Sequence, residues 1–379
     1  MRIFEDIHID WLGKRKIFYA ISLSLFLIGW INVFVRGLHF GIDFKGGTEI
    51  VLQFDKPVNV SNIRQYIDKI GLGFVELKTF GGETGVLVRT ESQYIPKNIF
   101  PKVVDNINSE IEKYYPGISK KISDTTLSSV TYTFANPDTT DQIVNRLLAK
   151  GYQAGKVSEE PTNNQMVVRV GIADWIKENL RTKMPDNQFQ IIKEDHVGPK
   201  VGNELKTNAL IAIAISLLGI LVYLAFRFKF IFALGAVVAL FHDVLITIGL
   251  YAALYGVIPG LNLEIDLTVV AAFLTLIGYS VADTVIVFDR VRENLKIHKT
   301  MPLEDLINQS VNRTMSRTIL TAGTVLLAIF VLLIFGGEVL RAFSFTLFFG
   351  TITGTYSSIF IASALVLEYA NRFQKKVNF

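Results

Sequence analysis

Long apolar stretches and charged segments alternate along the chain. Six of the apolar stretches have the length of about 20 residues that an α-helix needs to cross a bilayer. They are residues 17–35, 208–226, 230–255, 267–288, 318–335 and 342–367. The segment 36–207 instead mixes charged residues with short apolar runs. This pattern predicts an α-helical polytopic membrane protein with six transmembrane helices and one large domain between the first two.

The first apolar stretch has two possible interpretations, a cleaved signal peptide or a permanent anchor. Residues 17–35 are an uncharged run of 19 residues behind Lys14-Arg15-Lys16. A signal peptide has a shorter apolar core, of about 7–15 residues, and ends at a small-x-small cleavage site. No such site follows here. We therefore predict an uncleaved transmembrane helix, preceded by a cytoplasmic N-terminus over residues 1–16.

Lysine and arginine predict the orientation of the helices, because short cytoplasmic loops are enriched in both. With six helices, all the main basic groups fall on one side of the membrane. They are Lys14, Arg15, Lys16, Arg227, Lys229, Arg290, Arg292, Lys296, Lys299, Arg313, Arg317, Arg372, Lys375 and Lys376. Both termini, including residues 368–379, are therefore predicted to be cytoplasmic. Residues 36–207 are predicted to be extracytoplasmic.

The segment 36–207 shows the short alternating runs of an α+β domain. Strands are predicted at 48–54, 74–80, 86–89, 130–134, 153–157, 166–170 and 189–193. Helices are predicted at 61–70, 99–114, 140–150 and 174–184, with Ser61 and either Thr139 or Thr140 as N-caps. The order β-α-β-β-α is typical of ferredoxin-like folds, and here it occurs twice. Two tandem modules, about 48–116 and 128–196, and a single enlarged module both remain possible.

Composition excludes several classes of protein. Half of the residues are hydrophobic, 19% are charged and mean hydropathy is +0.38, so the chain is neither disordered nor an ordinary soluble enzyme. Charged residues are depleted in the C-terminal part of the chain, as a membrane region would be. Residues 208–379 hold only 12 of the 38 Lys and Arg and 10 of the 34 Asp and Glu. Cysteine is absent, which excludes disulfides, thiolate metal sites and cysteine nucleophiles. A net charge of +4 is too small to indicate a nucleic-acid partner.

Sequence motifs of common enzymes are also absent, so we expect no enzymatic activity, cofactor or metal. The chain has no Walker loop, H-E-x-x-H or G-x-S-x-G motif. Asp43-Phe44-Lys45-Gly46-Gly47 only loosely resembles a phosphate-binding loop, because no Gly-Lys-Ser/Thr follows it. Its glycines are better suited to a tight turn between the first helix and the external domain.

Ionisable residues within the apolar stretches are the candidates for function, since a charge in lipid costs several kcal/mol. His242 and Asp243 lie in the third stretch, Asp283 lies in the fourth, and Arg317 precedes the fifth. Asp283 is about 9 Å along the helix from Asp289, which places it near Arg317 if the two helices form a hairpin. A carboxylate beside a guanidinium can change its protonation state with its surroundings and so carry protons. A static pair that only packs the helices is equally compatible with the spacing, and a structural polar contact is favoured for His242-Asp243.

Five motifs in fixed order then give a specific resemblance. They are FGIDFKGGT (40–48, with Asp43, Gly46 and Gly47), VGPKVG (197–202, with Gly198, Pro199 and Gly202), FHD (241–243), GYSVADTVIVFDR (278–290, ending in Asp289 and Arg290) and NRTMSRT (312–318). Over nearly its whole length the chain resembles the SecF side of the SecD/SecF family of protein translocase subunits. Without that resemblance, Asp289 and Arg290 indicate only a solvated helix end.

The resemblance implies an RND-type membrane fold in which six helices form half of a bundle and SecD supplies the other half. It implies a bacterial cytoplasmic membrane location, association with the SecYEG channel, and promotion of preprotein export by the proton or sodium gradient. It assigns ion coupling to Asp283 and Arg317. The family usually has Asn before this aspartate, whereas this chain has Ala282. The external segment is also longer than the single module usual in the family.

Two other functions remain open at the level of sequence. One is a small-molecule or lipid exporter subunit with the same RND-type fold. The other is a passive scaffold for the translocase, in which Asp283 could be neutralised without consequence.

Overall fold

The computed structural model describes residues 8–73, 75–158, 160–258 and 261–373. Twelve α-helices lie in these ranges: α1 (Arg15–Arg36), α2 (Ile42–Lys45), α3 (Val60–Ile67), α4 (Phe100–Tyr114), α5 (Pro137–Ala149), α6 (Ile172–Lys183), α7 (Pro199–Arg227), α8 (Phe230–Leu254), α9 (Leu267–Ile297), α10 (Leu303–Phe335), α11 (Gly337–Ser357) and α12 (Ala364–Phe373). Eight strands accompany them: β1 (Gly47–Phe54), β2 (Val75–Thr79), β3 (Gly85–Thr90), β4 (Lys120–Thr125), β5 (Ser129–Phe134), β6 (Gln153–Lys156), β7 (Gln165–Arg169) and β8 (Phe189–Val197). The predictions at residues 1–7, Phe74, Lys375 and Lys376 lie outside the described residues.

Six helical segments are long and apolar enough to cross a membrane, as the sequence predicts. Three extend well beyond their apolar stretches, by about nine residues or more: α7 begins at Pro199, α9 continues to Ile297, and α10 begins at Leu303. Each extension carries polar and charged residues, which hydropathy excludes from a membrane stretch although they continue the same helix. The sixth segment is formed by α11 and α12 with a π-helical segment, Ser358–Ser363, between them.

The chain divides into two compact units. One contains residues up to 44 and from 204 onward, and the other is Lys45–Asn203. The segment 36–207 of the sequence prediction begins nine residues before this second unit and ends four residues after it. In the helical unit, α8, α9 and the last segment supply most of the buried residues, while α1, α7 and α10 are largely exposed. Helix α1 packs on α8 where Gly29 meets Gly249, and a Cβ at Gly29 would lie 2.7 Å from the Gly249 Cα atom.

The α+β unit contains two four-stranded antiparallel sheets, ordered β2-β3-β1-β8 and β4-β5-β7-β6. Strand β8 pairs with β1 along its length, from Gly47 opposite Val197 to Phe54 opposite Phe189. The last strand of the unit therefore completes the first sheet. Helix α6, which precedes β8, packs against α3, and α4 packs against α5.

These pairings give two nested modules. The outer module is β1-α3-β2-β3-α6-β8, which is the ferredoxin-like order. The inner module, α4 to β7, is inserted between β3 and α6, and it has the same sheet order in a circularly permuted chain order. The predicted tandem division into 48–116 and 128–196 is therefore corrected, because β8 pairs with β1 and not with a strand of the inner sheet. Both modules share one hydrophobic core.

Local details of this unit differ from the sequence predictions in two respects. Asn59 caps α3 by accepting the Ser61 amide at 2.8 Å, and Asn136 caps α5 by accepting the Asp138 amide at 3.0 Å. The predicted caps Ser61, Thr139 and Thr140 are wrong, because each lies inside its helix. Strand β4 was not predicted, because its exposed sequence KKISDT lacks regular apolar alternation.

Glycines shape the point where the chain enters the α+β unit. Gly46 and Gly47 have φ values of 77° and 125°, as the predicted turn requires. A Cβ at Gly47 would clash with the carbonyl oxygen of Thr90 on the neighbouring strand. Pro199 is the first residue of α7, and the Gly202 amide donates to the Gly198 carbonyl at 2.8 Å.

Two glutamates of the α+β unit lie in different environments. Glu178 on α6 is half-buried, and Glu112 on α4 is exposed. Glu178 accepts a hydrogen bond from the Tyr152 hydroxyl at 2.9 Å and a weak one from Asn106 at 3.4 Å. Burial raises the pKa of Glu178, and repulsion from Glu110 adds to this effect. Glu112 is the opposite case, because hydrogen bonds from the Gly117 amide and the Lys120 ammonium lower its pKa.

Gly47, where the chain enters the α+β unit, allows a matched test of close packing. Gly82→Ala has the same positive φ, 123°, but open space around it, so it should cost about 1–3 kcal/mol from backbone strain alone. Gly47→Ala adds the clash with Thr90, which should cost a further 1–3 kcal/mol. Chemical unfolding of the purified chain, followed by circular dichroism, measures both. Equal losses of stability would contradict the close approach.

The two glutamates predict opposite dependences on pH. A raised folded pKa means that the folded protein binds the proton more tightly, so ionised Glu178 costs stability at neutral pH. Glu178→Gln should therefore raise the melting temperature at pH 7, and the gain should vanish as pH falls to about 4. Glu112→Gln should lower the melting temperature at pH 7, with the loss vanishing over the same range. Shifts of the same sign in both variants would be inconsistent with these environments.

A buried carboxylate site in the helix bundle

Two buried carboxylates lie on the long helices of the helical unit, among the residues that the structure describes. Asp243 on α8 is completely buried, and Asp283 on α9 is 6% exposed. Their helices supply much of the interior of the unit, so both side chains are enclosed by other helices. An isolated carboxylate in such a place would be costly, and its hydrogen-bond partners therefore decide whether the fold tolerates it.

Asp243 is held by three hydrogen-bonding side chains. The hydroxyls of Ser280 and Ser357 donate to Oδ2 at 2.6 and 2.8 Å, and the Nδ1 atom of His242 lies 3.0 Å from Oδ1. A glycine makes this arrangement possible, since a Cβ at Gly354 would lie 3.1 Å from the Cβ of Ser280. The contacts bring α8, α9 and α11 together at one point.

His242 extends this group toward α1. Its Nε2 atom lies 2.9 Å from the Tyr356 hydroxyl, which lies 2.7 Å from the hydroxyl of Ser22. Ser22 and Gly29 are the buried residues of α1. A chain of four polar side chains therefore runs from α1 to the Asp243 carboxylate. If the Tyr356 hydroxyl donates to Nε2, then Nδ1 carries the proton and donates to Asp243.

Asp283 has hydroxyl partners of its own. The Thr318 hydroxyl donates to Oδ1 at 3.1 Å and the Ser358 hydroxyl donates to Oδ2 at 3.2 Å. Ser357 and Ser358 are consecutive, and they lie where α11 passes into the π-helical segment. Adjacent residues of one helical segment therefore bind the two buried carboxylates, each of which belongs to a different helix.

Arg317 does not form the direct pair with Asp283 that the hairpin geometry allowed. Successive side chains on a helix point about 100° apart, and it is Thr318 that faces Asp283. The Arg317 side chain is exposed, and within the described chain no ion pair joins it to Asp283. The predicted proximity of α9 and α10 at this level is confirmed.

The remaining motif residues lie outside the carboxylate site. Asp43 accepts the Leu267 amide at 2.9 Å, at the beginning of α9. Asp289 pairs with Arg227 at 2.7 Å, which ties α9 to the end of α7. Arg290 pairs with Glu293 one turn along α9. Among the described residues, no group of three or more His, Asp or Glu side chains is placed to hold a metal ion.

Sequence reasoning missed every hydroxyl of the site. These residues are Ser22, Ser280, Thr318, Tyr356, Ser357 and Ser358. Serine and threonine are frequent in membrane helices and usually bond to their own backbone, so their presence in an apolar stretch carries little signal. Only the adjacent pair Ser357-Ser358 stands out in the sequence.

Comparison with known proteins identifies relatives of the whole chain. Residues 176–372 match the family model described as protein export membrane protein SecD/SecF, C-terminal, and residues 31–58 match the SecD/SecF GG motif. A protein translocase subunit SecF from Rhodothermus marinus is 37% identical over 98% of this chain and 96% of its own length. One from Koribacter versatilis is 35% identical over 97% and 93%.

A solved structure is also similar. The crystal structure of SecDF, a translocon-associated membrane protein from Thermus thermophilus, is 29% identical with a TM-score of 0.65. The match covers 97% of this chain but only 39% of that one. The chain thus spans about two-fifths of the length of its SecDF neighbour.

The polar chain through Tyr356 predicts a specific effect on α1. Tyr356→Phe and the control Tyr251→Phe each remove one hydroxyl that bonds between helices, at a cost of about 1 kcal/mol. Only Tyr356→Phe also breaks the contact with Ser22, so only this variant should speed amide hydrogen exchange in α1. Hydrogen–deuterium exchange of the α1 peptides measures this. Equal exchange in the two variants would show that the hydroxyl does not hold α1.

Proposed function

The chain belongs to the SecF family of protein translocase subunits, and on that premise we propose that it acts with SecD to promote preprotein export. The driving force is the proton or sodium gradient across the bacterial cytoplasmic membrane. The chain is a multi-pass membrane protein, and its contribution is mechanical and not enzymatic.

The observation that carries the proposal is the burial of two carboxylates in helices long enough to cross the membrane. Asp243 is 0% and Asp283 6% exposed, and neither forms a direct ion pair with a lysine or arginine in the described part of the chain. Hydroxyl groups can solvate either charge state of a carboxyl, because they donate to the ionised form and accept from the protonated form. A site of this composition suits a group whose charge changes during a cycle.

Ion uptake can drive movement if two conformations bind the ion with different affinity. Each charge moved across the membrane gains about 2.3 kcal/mol per 100 mV. We assign Asp283 as the primary coupling residue and Arg317, which adjoins the Asp283 partner Thr318 on α10, as the nearby basic residue. Asp243 and His242 form the second, linked part of the site.

The partner assignments follow from the exposed helices and from the family. Helices α1, α7 and α10 leave large apolar surfaces uncovered in the single chain, which supports an RND-like half bundle completed by SecD. The relatives from Rhodothermus marinus and Koribacter versatilis are translocase subunits, which favours preproteins and the SecYEG channel over small molecules or lipids. Both termini are assigned to the cytoplasm and residues 45–203 to the outer side, from the distribution of lysine and arginine.

Neutralising the primary carboxylate tests the proposal. In proteoliposomes that contain the chain with SecD, SecYEG and the SecA motor, Asp283→Asn should abolish the stimulation of export by an imposed gradient. Gradient-independent export and assembly with SecD should be unchanged. The matched control is Asp289→Asn, the same change at an exposed position of the same helix, which should keep the stimulation.

Two outcomes would overturn this assignment. Full stimulation in Asp283→Asn, with assembly intact, would mean that the chain is a passive scaffold. Gradient-driven efflux of a lipid or small molecule by the chain without the channel would instead favour an exporter.

A further inference from the structure

The tandem serines at the end of α11 each have two hydrogen-bond acceptors. Ser357 donates to Asp243 at 2.8 Å and lies 3.1 Å from the Gly354 carbonyl. Ser358 donates to Asp283 at 3.2 Å and lies 2.9 Å from the Thr355 carbonyl. In each case one acceptor is a carboxylate on another helix and the other is a carbonyl of the serine's own helix. A single O–H proton can favour only one of them at a time.

The charge of the carboxylate decides which acceptor is preferred. A hydrogen bond to an ionised carboxylate is roughly twice as strong as one to a neutral carbonyl. When the carboxylate is ionised, its serine should therefore bond across to α8 or α9. When the carboxylate is protonated, the serine should donate instead to the carbonyl of its own helix. The serine's helix then loses a strong hydrogen bond to α8 or α9.

The backbone ties the two serines to one rigid element. Ser357 is the last residue of α11, and Ser358 is the first residue of the π-helical segment, a rare conformation that occurs frequently at functional sites. This segment is packed closely on α8, since a Cβ at Gly235 would lie 2.9 Å from the Ala362 carbonyl. Adjacent side chains point in directions about 100° apart, so rotating the helix toward one carboxylate moves the other serine away from its own.

We propose that Ser357 and Ser358 are positioning residues that make the charge state of Asp243 depend on that of Asp283. Loss of charge at one carboxylate frees the helix to tighten its bond to the other, so the two sites alternate in binding the coupling ion. This inference rests on the function proposed above and adds a second carboxylate and its link to that function.

Other ionisable groups face the two carboxylates and share in this balance. His242 on α8 and Tyr356 on α11 lie at Asp243, and the charges of Asp283 and Asp243 act on each other. On the Asp283 side are Tyr279 of the same helix and Arg317 of α10. None of these groups contacts both carboxylates. Among the described side chains that bond to the site, the serine pair reaches both, with Ser357 at Asp243 and Ser358 at Asp283.

The test compares single and double substitutions in the complete export system with SecD. Ser357→Ala and Ser358→Ala should each reduce gradient-dependent stimulation about tenfold. If the serines act as one link, the double variant should be no worse than the more damaged single variant. If each serine only solvates its own carboxylate, the losses should multiply to about a hundredfold, which would overturn the inference.

Three further variants separate coupling from structural damage. Ser344→Ala is the matched control, because among the described residues this buried hydroxyl of α11 bonds only to the Leu340 carbonyl, and the variant should keep full stimulation. Ser357→Thr keeps the hydroxyl that Ser357→Ala removes, so it should keep the gradient-dependent stimulation that Ser357→Ala loses. Ser357→Cys replaces the hydroxyl with a somewhat larger thiol that donates weakly, so it should give an intermediate loss in a chain that folds.

The pH profile of stimulation gives a readout that packing alone would not change. The profile should shift in Ser357→Ala and Ser358→Ala and stay in place in Ser344→Ala. An unshifted profile in both alanine variants would overturn the inference. If Asp283→Asn, measured in parallel, loses stimulation while the serine losses multiply, the proposed function stands and the coupling by serines fails. If Asp283→Asn keeps stimulation, the proposed function itself fails.

Discussion

Hydrogen bonding to two buried carboxylates is the constraint on which the helical unit depends. A carboxyl group enclosed by apolar helices needs partners on every side, because water is not available to solvate it. In this protein the partners come from α8, α9, α10, α11 and the π-helical segment, and His242 extends the contacts to α1. The requirement explains why small residues occur where these helices meet. Gly354 allows Ser280 to reach Asp243, and Gly29 brings α1 onto α8.

This arrangement keeps the site polar, and the described part of the chain provides no direct ion pair between either carboxylate and a lysine or arginine. A tight pair with a guanidinium would hold a carboxylate in its ionised form, because breaking such a pair in a buried place is expensive. Hydroxyl partners favour the ionised form less strongly than a guanidinium does, and they can also accept a hydrogen bond from the protonated carboxyl. Thr318 and not Arg317 contacts Asp283, so among the described residues no salt bridge to a lysine or arginine holds this carboxyl in its ionised form. The geometry thus agrees with the coupling role that we propose for Asp283.

The α+β unit solves a different problem, that of inserting a second module without disturbing the first. The outer sheet is closed by β1 and β8, whose pairing brings the entry and exit of the unit together. Residues from α4 to β7 can then form a complete sheet of their own, because both ends of that insertion emerge near the same core. Gly46 and Gly47 allow the chain to enter beside Thr90, where a side chain would not fit.

Local and periodic features of this protein could be read from the sequence alone. The six membrane helices, most of the strands and the positions of Asp243 and Asp283 follow from apolar runs, alternation and isolated charges, which depend only on neighbouring residues. The pairing of β8 with β1, the nesting of the modules and the choice of Thr318 over Arg317 as the partner of Asp283 required the tertiary structure. These features join residues that are distant in sequence, and the sequence around Ser280, Ser357 or Ser358 does not indicate which carboxylate each one meets. Contacts of this kind are decided by how helices and strands pack, and that packing is a property of the whole fold.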